Sequence, residues 1–131
     1  MKYFILTNNP QAAAEFEATH EVRFTEGGLK DVLIAARDLI NSGAILLSHP
    51  LYGSVKPNET PYRSLLIRPG KTSGTGDIPP ADIESVMLIE NAISTAGKFT
   101  DKKEITDPKL LEDFQAVDLS LLRSAVASAD Q

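Results

Sequence analysis

Residues 44–68 read AILLSHPLYGSVKPNETPYRSLLIR, two apolar runs separated by a long stretch of polar, cyclic and small side chains. Ala44 to Leu47 and Ser64 to Arg68 have the length and composition of buried strands. Between them, Pro50, Pro57 and Pro61 each fix φ and lack a backbone donor, and Gly53 adds a further break. These residues exclude a regular helix or a central strand from 48–63, which must be a shaped loop. Loops longer than about a dozen residues are uncommon unless they are functional or disordered. His49, Tyr52, Ser54, Lys56, Asn58, Glu59, Thr60, Tyr62 and Arg63 supply more hydrogen-bonding groups than solubility requires. The loop is therefore where a site is sought.

Upstream, Lys2 to Thr7 is a short apolar run stopped by Asn8, Asn9 and Pro10, a buried strand followed by a helix. Either asparagine can accept from the free amides of the first turn, and Pro10 suits an N-terminal helical position. The helix runs over Gln11 to Ala18, with Ala13, Phe16 and Ala12 inward. Glu21 to Thr25 alternates, placing Val22 and Phe24 on one side of an edge strand. Leu29, Val32, Leu33, Ala36 and Ile40 recur at helical spacing, and Gly43 supplies a left-handed stop. Ala44 to Leu47 then reads as the innermost strand.

Downstream, Pro69 and Gly70 end the last strand, and the stretch to Pro80 is a glycine- and proline-rich connection. Val86, Ile89, Ile93 and Ala96 mark a helix entered through Pro79, Pro80 and Asp82 and closed at Gly97. Asp107 caps another, with Pro108 in its first turn and Leu110, Phe114, Val117, Leu121 and Ala125 as the inward stripe. Asp118 is a point at which this helix can break in two, and residues 126–131 are expected to fray. Strand, helix, strand, helix, strand predicts an α/β fold. The expectation is one domain, 1–131, with a small, mostly parallel sheet of about four strands, helices on both faces, a Rossmann-like or flavodoxin-like arrangement and a helical C-terminus. The direction of the strand over 64–68 stays open.

Absence of cysteine excludes thiolate metal sites, disulfides and thiol nucleophiles. The two histidines, His20 and His49, fall on different elements, so no metal cluster is expected. The N-terminal apolar run ends too early for a signal peptide and no run spans a bilayer, so a soluble, cytoplasmic protein is expected. A net charge of −5 argues against nucleic-acid binding. Over 48–72, however, Lys56, Arg63, Arg68 and Lys71 stand against Glu59 alone, giving +3 and leaving −8 for the rest. A positive loop on a negative body suits a small anionic molecule or an acidic partner patch, although four basic side chains on a solvated face read equally well.

Ligands of such sheets settle beyond the carboxyl ends of the strands. Those ends carry Thr7, Asn8, Asn9, Ser48 and His49. With Ser54, Lys56, Asn58, Glu59 and Arg63 from the loop they form the expected ligand-binding set, an anion pocket to which the first helix adds its N-terminal amides. His49 is the catalytic candidate, since histidine's unperturbed pKa of about 6.5 suits acid/base work. Each has a plainer role: His49 holding a carbonyl, Lys56 and Arg63 as surface charges, Glu59 pairing Lys56 or turning with Asn58, Tyr52 and Tyr62 packing the loop. A serine nucleophile at Ser48 or Ser54 lacks a visible triad. Gly70, Lys71 and Thr72 imitate a phosphate loop without its first glycine, and Asn58, Glu59 and Thr60 form a glycosylation sequon that matters only in a secreted chain.

The stretch LLSHPLYGSVKPNETPYRS, together with ILTNNP, VLIAARDLINSGAILL and MLIENAISTAGKF, resembles the GrdX family, small bacterial proteins named for a gene beside the glycine, sarcosine and betaine reductase genes of amino-acid-fermenting anaerobes. The likeness covers about the first three-quarters of the chain and brings no catalytic residues or cofactor with it. It implies an accessory role near that reductase system. Three readings follow: a protein holding a small anion or a reductase component in the loop; an enzyme acting on a small carboxylate or phosphate, with His49 as acid/base and Lys56, Arg63 and Asn8 as clamps; and an interaction module whose C-terminal helices form a homodimer or recruit a partner.

Overall fold

A computed structural model describes residues 2–51, 60–70, 80–97 and 105–131. The element order is β1 (Phe4–Thr7), α1 (Pro10–Phe16), β2 (Val22–Phe24), α2 (Leu29–Asn41), β3 (Ile45–Leu46), β4 (Ser64–Arg68), α3 (Ile83–Gly97) and α4 (Pro108–Ala129). The strands lie in the order β2-β1-β4-β3. β1 and β2 are parallel, whereas β4 runs antiparallel to both β1 and β3.

The fold is α/β with four strands and helices on both faces, as expected, but the sheet is mixed and not mostly parallel. The correction has a physical cause in SLLIR. Leu65, Leu66 and Ile67 are each 2% exposed or less, so this strand is apolar on both faces and belongs at the sheet centre between two helical layers. It inserts beside β1, pairing Phe4 with Ile67 through to Thr7 with Ser64, and displaces β3 outward. The run over 44–47, expected to be innermost, is thus an edge strand. Its Leu46 N–H is turned away from β4 and donates to Ser85 Oγ of α3 at 3.0 Å, while Asp82 accepts from both the Ser85 hydroxyl and its N–H. A helix hydroxyl therefore covers the edge, one of the ways native sheets avoid edge-to-edge pairing.

Alternation along the two central strands divides the core. Phe4, Leu6, Leu65 and Ile67 face α2 and α3, while Ile5 and Leu66 face α1 and α4. In α2 the predicted stripe is buried, the Asp31 carboxylate accepts the Gly28 N–H at 2.8 Å, and Gly43 closes the helix at φ 100°. Asn9 caps α1 by accepting from Gln11 N–H, with Pro10 next. Ala12 and Phe16 are its buried residues, and Ala13 is half-buried.

α4 differs from expectation in two ways. It is one continuous helix through Asp118, and its buried face is Asp118, Leu119, Leu122 and Val126, rotated by one residue from the predicted stripe. Leu110 and Val117, expected inward, are about two-fifths exposed (41% and 42%). The helix continues through the segment expected to fray as far as Ala129. Asp130, which follows it, accepts from Tyr3 Oη at 2.7 Å. Among the described residues no helix is long and apolar enough to cross a membrane.

Candidate functional site

Because β4 is antiparallel, its amino end lies at the sheet edge that carries the carboxyl ends of β1 and β3. The 48–63 loop therefore leaves the sheet at Ser48 and returns at Arg63 on one edge, and the Thr7–Ser64 pairing joins that return to the end of β1. Thr7, Asn8, Asn9, Arg63 and Ser64 are all buried there, between 0 and 4% exposed.

The side chains at this edge form one directed network. Ser64 Oγ lies 2.6 Å from Asp118 Oδ2, and a carboxylate only accepts, so the serine donates. Its proton committed, Ser64 Oγ accepts from the Thr7 hydroxyl at 2.7 Å, and Thr7 Oγ1 accepts from the Asn9 N–H at 3.0 Å. Asn9 closes the ring: its Nδ2 donates to Asp118 Oδ2 and to the Gln115 carbonyl, each at 2.9 Å. Both groups lie on α4, so the asparagine that caps α1 also locks α4 to the end of β1. The other Asp118 oxygen, Oδ1, is buried and accepts no hydrogen bond from the described residues. At 1% exposure Ser64 is sealed from any substrate, so the Ser64–Asp118 pair acts as a structural tie and not as an activated nucleophile.

Asn8 anchors the returning loop. Its Nδ2 donates to the carbonyls of Gly27 at 2.9 Å and Pro61 at 2.8 Å, and its Oδ1 accepts the Arg63 N–H at 2.9 Å. Arg63 is the largest fully buried side chain in the chain's described part, which places a guanidinium inside this edge. Tyr62 Oη accepts from Gln115 Nε2 at 2.8 Å, so the tyrosine packs the loop onto α4.

Ser48 and His49 stand apart from this cluster, on the far side of β4. Ser48 Oγ accepts the Leu66 N–H at 3.0 Å and so extends the β3–β4 pairing. His49 is exposed, and its Nδ1 accepts the Leu51 N–H at 3.1 Å, which leaves the ring proton on Nε2. Both line an open cleft of about 580 Å³ floored by Leu47, Leu66, Leu121 and Ala125. The structure thus brings Thr7, Asn8, Asn9 and Arg63 together and sets Ser48 and His49 beside a neighbouring cleft. Ser54, Lys56, Asn58 and Glu59 lie outside the described residues. Among the described residues no group of three metal-ligating side chains occurs.

Sequence reasoning passed over Asp118, Ser64 and Gln115. A signal was present in Asp118, a carboxylate beside Leu119 and four residues before Leu122 on α4; its reading as a helix break concealed a buried acceptor. Residues 4–127 match the GrdX-like protein family. The chain belongs to that family. No curated protein and no solved structure matches it. The match extends well beyond Thr100 and takes in most of α4, so Asp118 and Gln115 fall within the GrdX-like region together with the β1 and β4 residues they hold.

Proposed function

We propose that this GrdX-like chain is a noncatalytic accessory protein of the glycine, sarcosine and betaine reductase system, in which the 48–63 loop holds a small anion such as a carboxylate or phosphate, or docks a reductase component. The observation that carries the reading is the charge of residues 48–72, where Lys56, Arg63, Arg68 and Lys71 stand against Glu59 alone on a chain of net charge −5. Arginine's planar fork matches carboxylate and phosphate geometry, and Asn8 holds the backbone of Arg63 in place. The link to the reductase system comes from what the family likeness implies. Binding is favoured over catalysis because His49 spends one ring nitrogen on the Leu51 amide and, among the described residues, has no carboxylate bonded to it.

Thermal shift and calorimetry with glycine, sarcosine, betaine, acetate, acetyl phosphate and phosphate test this. At least one carboxylate or phosphate should raise the melting temperature, while ethylammonium chloride should not. Arg63→Lys and Lys56→Ala should reduce the shift, and His49→Ala should leave it intact. A flat response across the whole panel refutes the reading, and turnover of any of these compounds that is lost in His49→Ala selects the enzyme instead.

A further inference from the structure

α4 carries a second stripe beside its buried face. Asp118, Leu119, Leu122 and Val126 turn into the protein, whereas Leu110, Phe114, Val117, Leu121, Ser124 and Ser128 follow one another at alternating steps of four and three residues. That spacing is the seam of paired helices. Leu110 is 41% and Val117 42% exposed, Phe114 and Leu121 are half-buried, and Ser124 and Ser128 are exposed. No charged residue stands at any of the six positions. The two halves of the stripe differ in size. Leu110, Phe114 and Val117 are large, while over the second half Ser124, Ala125 and Ser128 are small and line the open cleft of about 580 Å³ beside Leu47 and Leu66.

We propose that α4 pairs antiparallel with α4 of a second copy across a two-fold axis, the large half of each stripe filling the cleft of the other. Reversing the stripe about Leu119 lays its steps of four and three onto themselves. Leu110 then stands opposite Ser128 of the second copy, Phe114 opposite Ser124, and Val117 opposite Leu121, and each layer recurs on the other side of the axis, as a two-fold interface requires. Large against small fills the outer layers. A parallel pair would set Phe114 against Phe114 and Ser128 against Ser128, leaving both clefts open. Ser124 Oγ donates to the Ser120 carbonyl one turn back at 3.4 Å, so Phe114 covers it without stranding a hydroxyl. A foreign helix could match either half of the stripe; a copy of this chain carries both halves in the required order. The stripe is about 27 Å long at ~1.5 Å per residue, and helix plus cleft wall is about 20 Å wide, on the order of 550 Å² per copy. The total of about 1,100 Å² passes the roughly 1,000 Å² that a complementary interface needs and lies at its low end, which predicts a weak, reversible dimer. This pairing does not depend on a ligand held by the 48–63 loop.

Sedimentation equilibrium of the full chain over the micromolar range should show monomer and dimer in exchange. Leu110→Glu with Val117→Glu, both at exposed positions, should weaken association by about tenfold or more and leave the far-ultraviolet circular dichroism of the monomer unchanged. Ser128→Leu, which closes the space that Leu110 enters, should weaken it comparably, and adding Leu110→Ser should restore it because the layer again sets a large side chain against a small one. The chain has no cysteine, so Leu110→Cys with Ser128→Cys should give a covalent dimer on oxidation, whereas Leu110→Cys alone should not. A chain monomeric over the whole range overturns the proposal and leaves the seam to a helix of another protein. A dimer indifferent to the glutamate pair, or failure of Leu110→Ser to rescue Ser128→Leu, overturns it as well. Cross-linking through Leu110→Cys alone overturns it in favour of a parallel pair.

Discussion

Removing the carboxylate of Asp118 tests the account of the β1–β4–α4 junction most directly. In Asp118→Ala the Ser64 hydroxyl and one Asn9 amide hydrogen lose their common acceptor in a region where Ser64 is 1% and Asn9 0% exposed. Each stranded buried donor costs about 1–3 kcal/mol, with bonds to a charged acceptor at the upper end, so a loss of about 3–5 kcal/mol is expected. For a domain of this size that is a fall of roughly 10–20 °C in melting temperature. Asp118→Asn retains a carbonyl oxygen able to accept both donors and should lose only about 1–2 kcal/mol. Urea unfolding with an unchanged slope is the assay. Ser64→Ala should lose about 1.5–3 kcal/mol, because it strips Asp118 of a donor and Thr7 of an acceptor. The double variant should be less unstable than the sum by about 1–2 kcal/mol, since the two side chains are direct partners. A loss under about 1 kcal/mol for Asp118→Ala, or strict additivity of the pair, refutes the reasoning.

Ser85→Ala should lower stability by about 1–2 kcal/mol by stranding the Leu46 N–H, and should raise the tendency to aggregate on light scattering because the β3 edge is uncovered. Gly70→Ala should destabilise by about 1–3 kcal/mol in denaturant titration. Its new Cβ would lie 2.5 Å from the Gly43 carbonyl oxygen, which is backbone and cannot swing aside. Three surface carboxylates should contribute modestly to the pH dependence of stability. Hydrogen bonds from Ser85 hold the Asp82 carboxyl below its ordinary range, the Arg123 guanidinium does the same for Glu15, and the Tyr3 hydroxyl does so for Asp130. A depressed carboxyl pKa stabilises the fold above the unfolded value and loses that contribution as pH falls through the folded one, so stability should decline below about pH 4. Asp82→Asn together with Glu15→Gln should flatten that decline in melting temperature against pH; an unchanged slope would count against these contacts.

Local chemistry by itself determined every element that depends on a few neighbouring residues. Asn9 followed by Pro10 marks the start of α1, Gly43 ends α2 at positive φ, and Asp107 with Pro108 starts α4, because caps and special backbone angles are settled within one turn. The edge position of β2 was legible as well, in the polar and apolar alternation of residues 21–25. The strand ends pointed to Thr7, Asn8, Asn9, Ser48 and His49 as one group, and the structure gathers only the first three of these, with Arg63, while Ser48 and His49 lie beside a separate cleft. Only the tertiary structure decided that SLLIR enters between β1 and β3: either strand direction buries the same leucines, and the choice rests on long-range pairing with β1. The same holds for Asp118. Its helical stripe differs from the predicted one by a single residue's rotation, and that rotation buries Leu119, Leu122 and Val126 against Ile5 and Leu66 while bringing Asp118 to Ser64 and Asn9, more than fifty residues away in the chain.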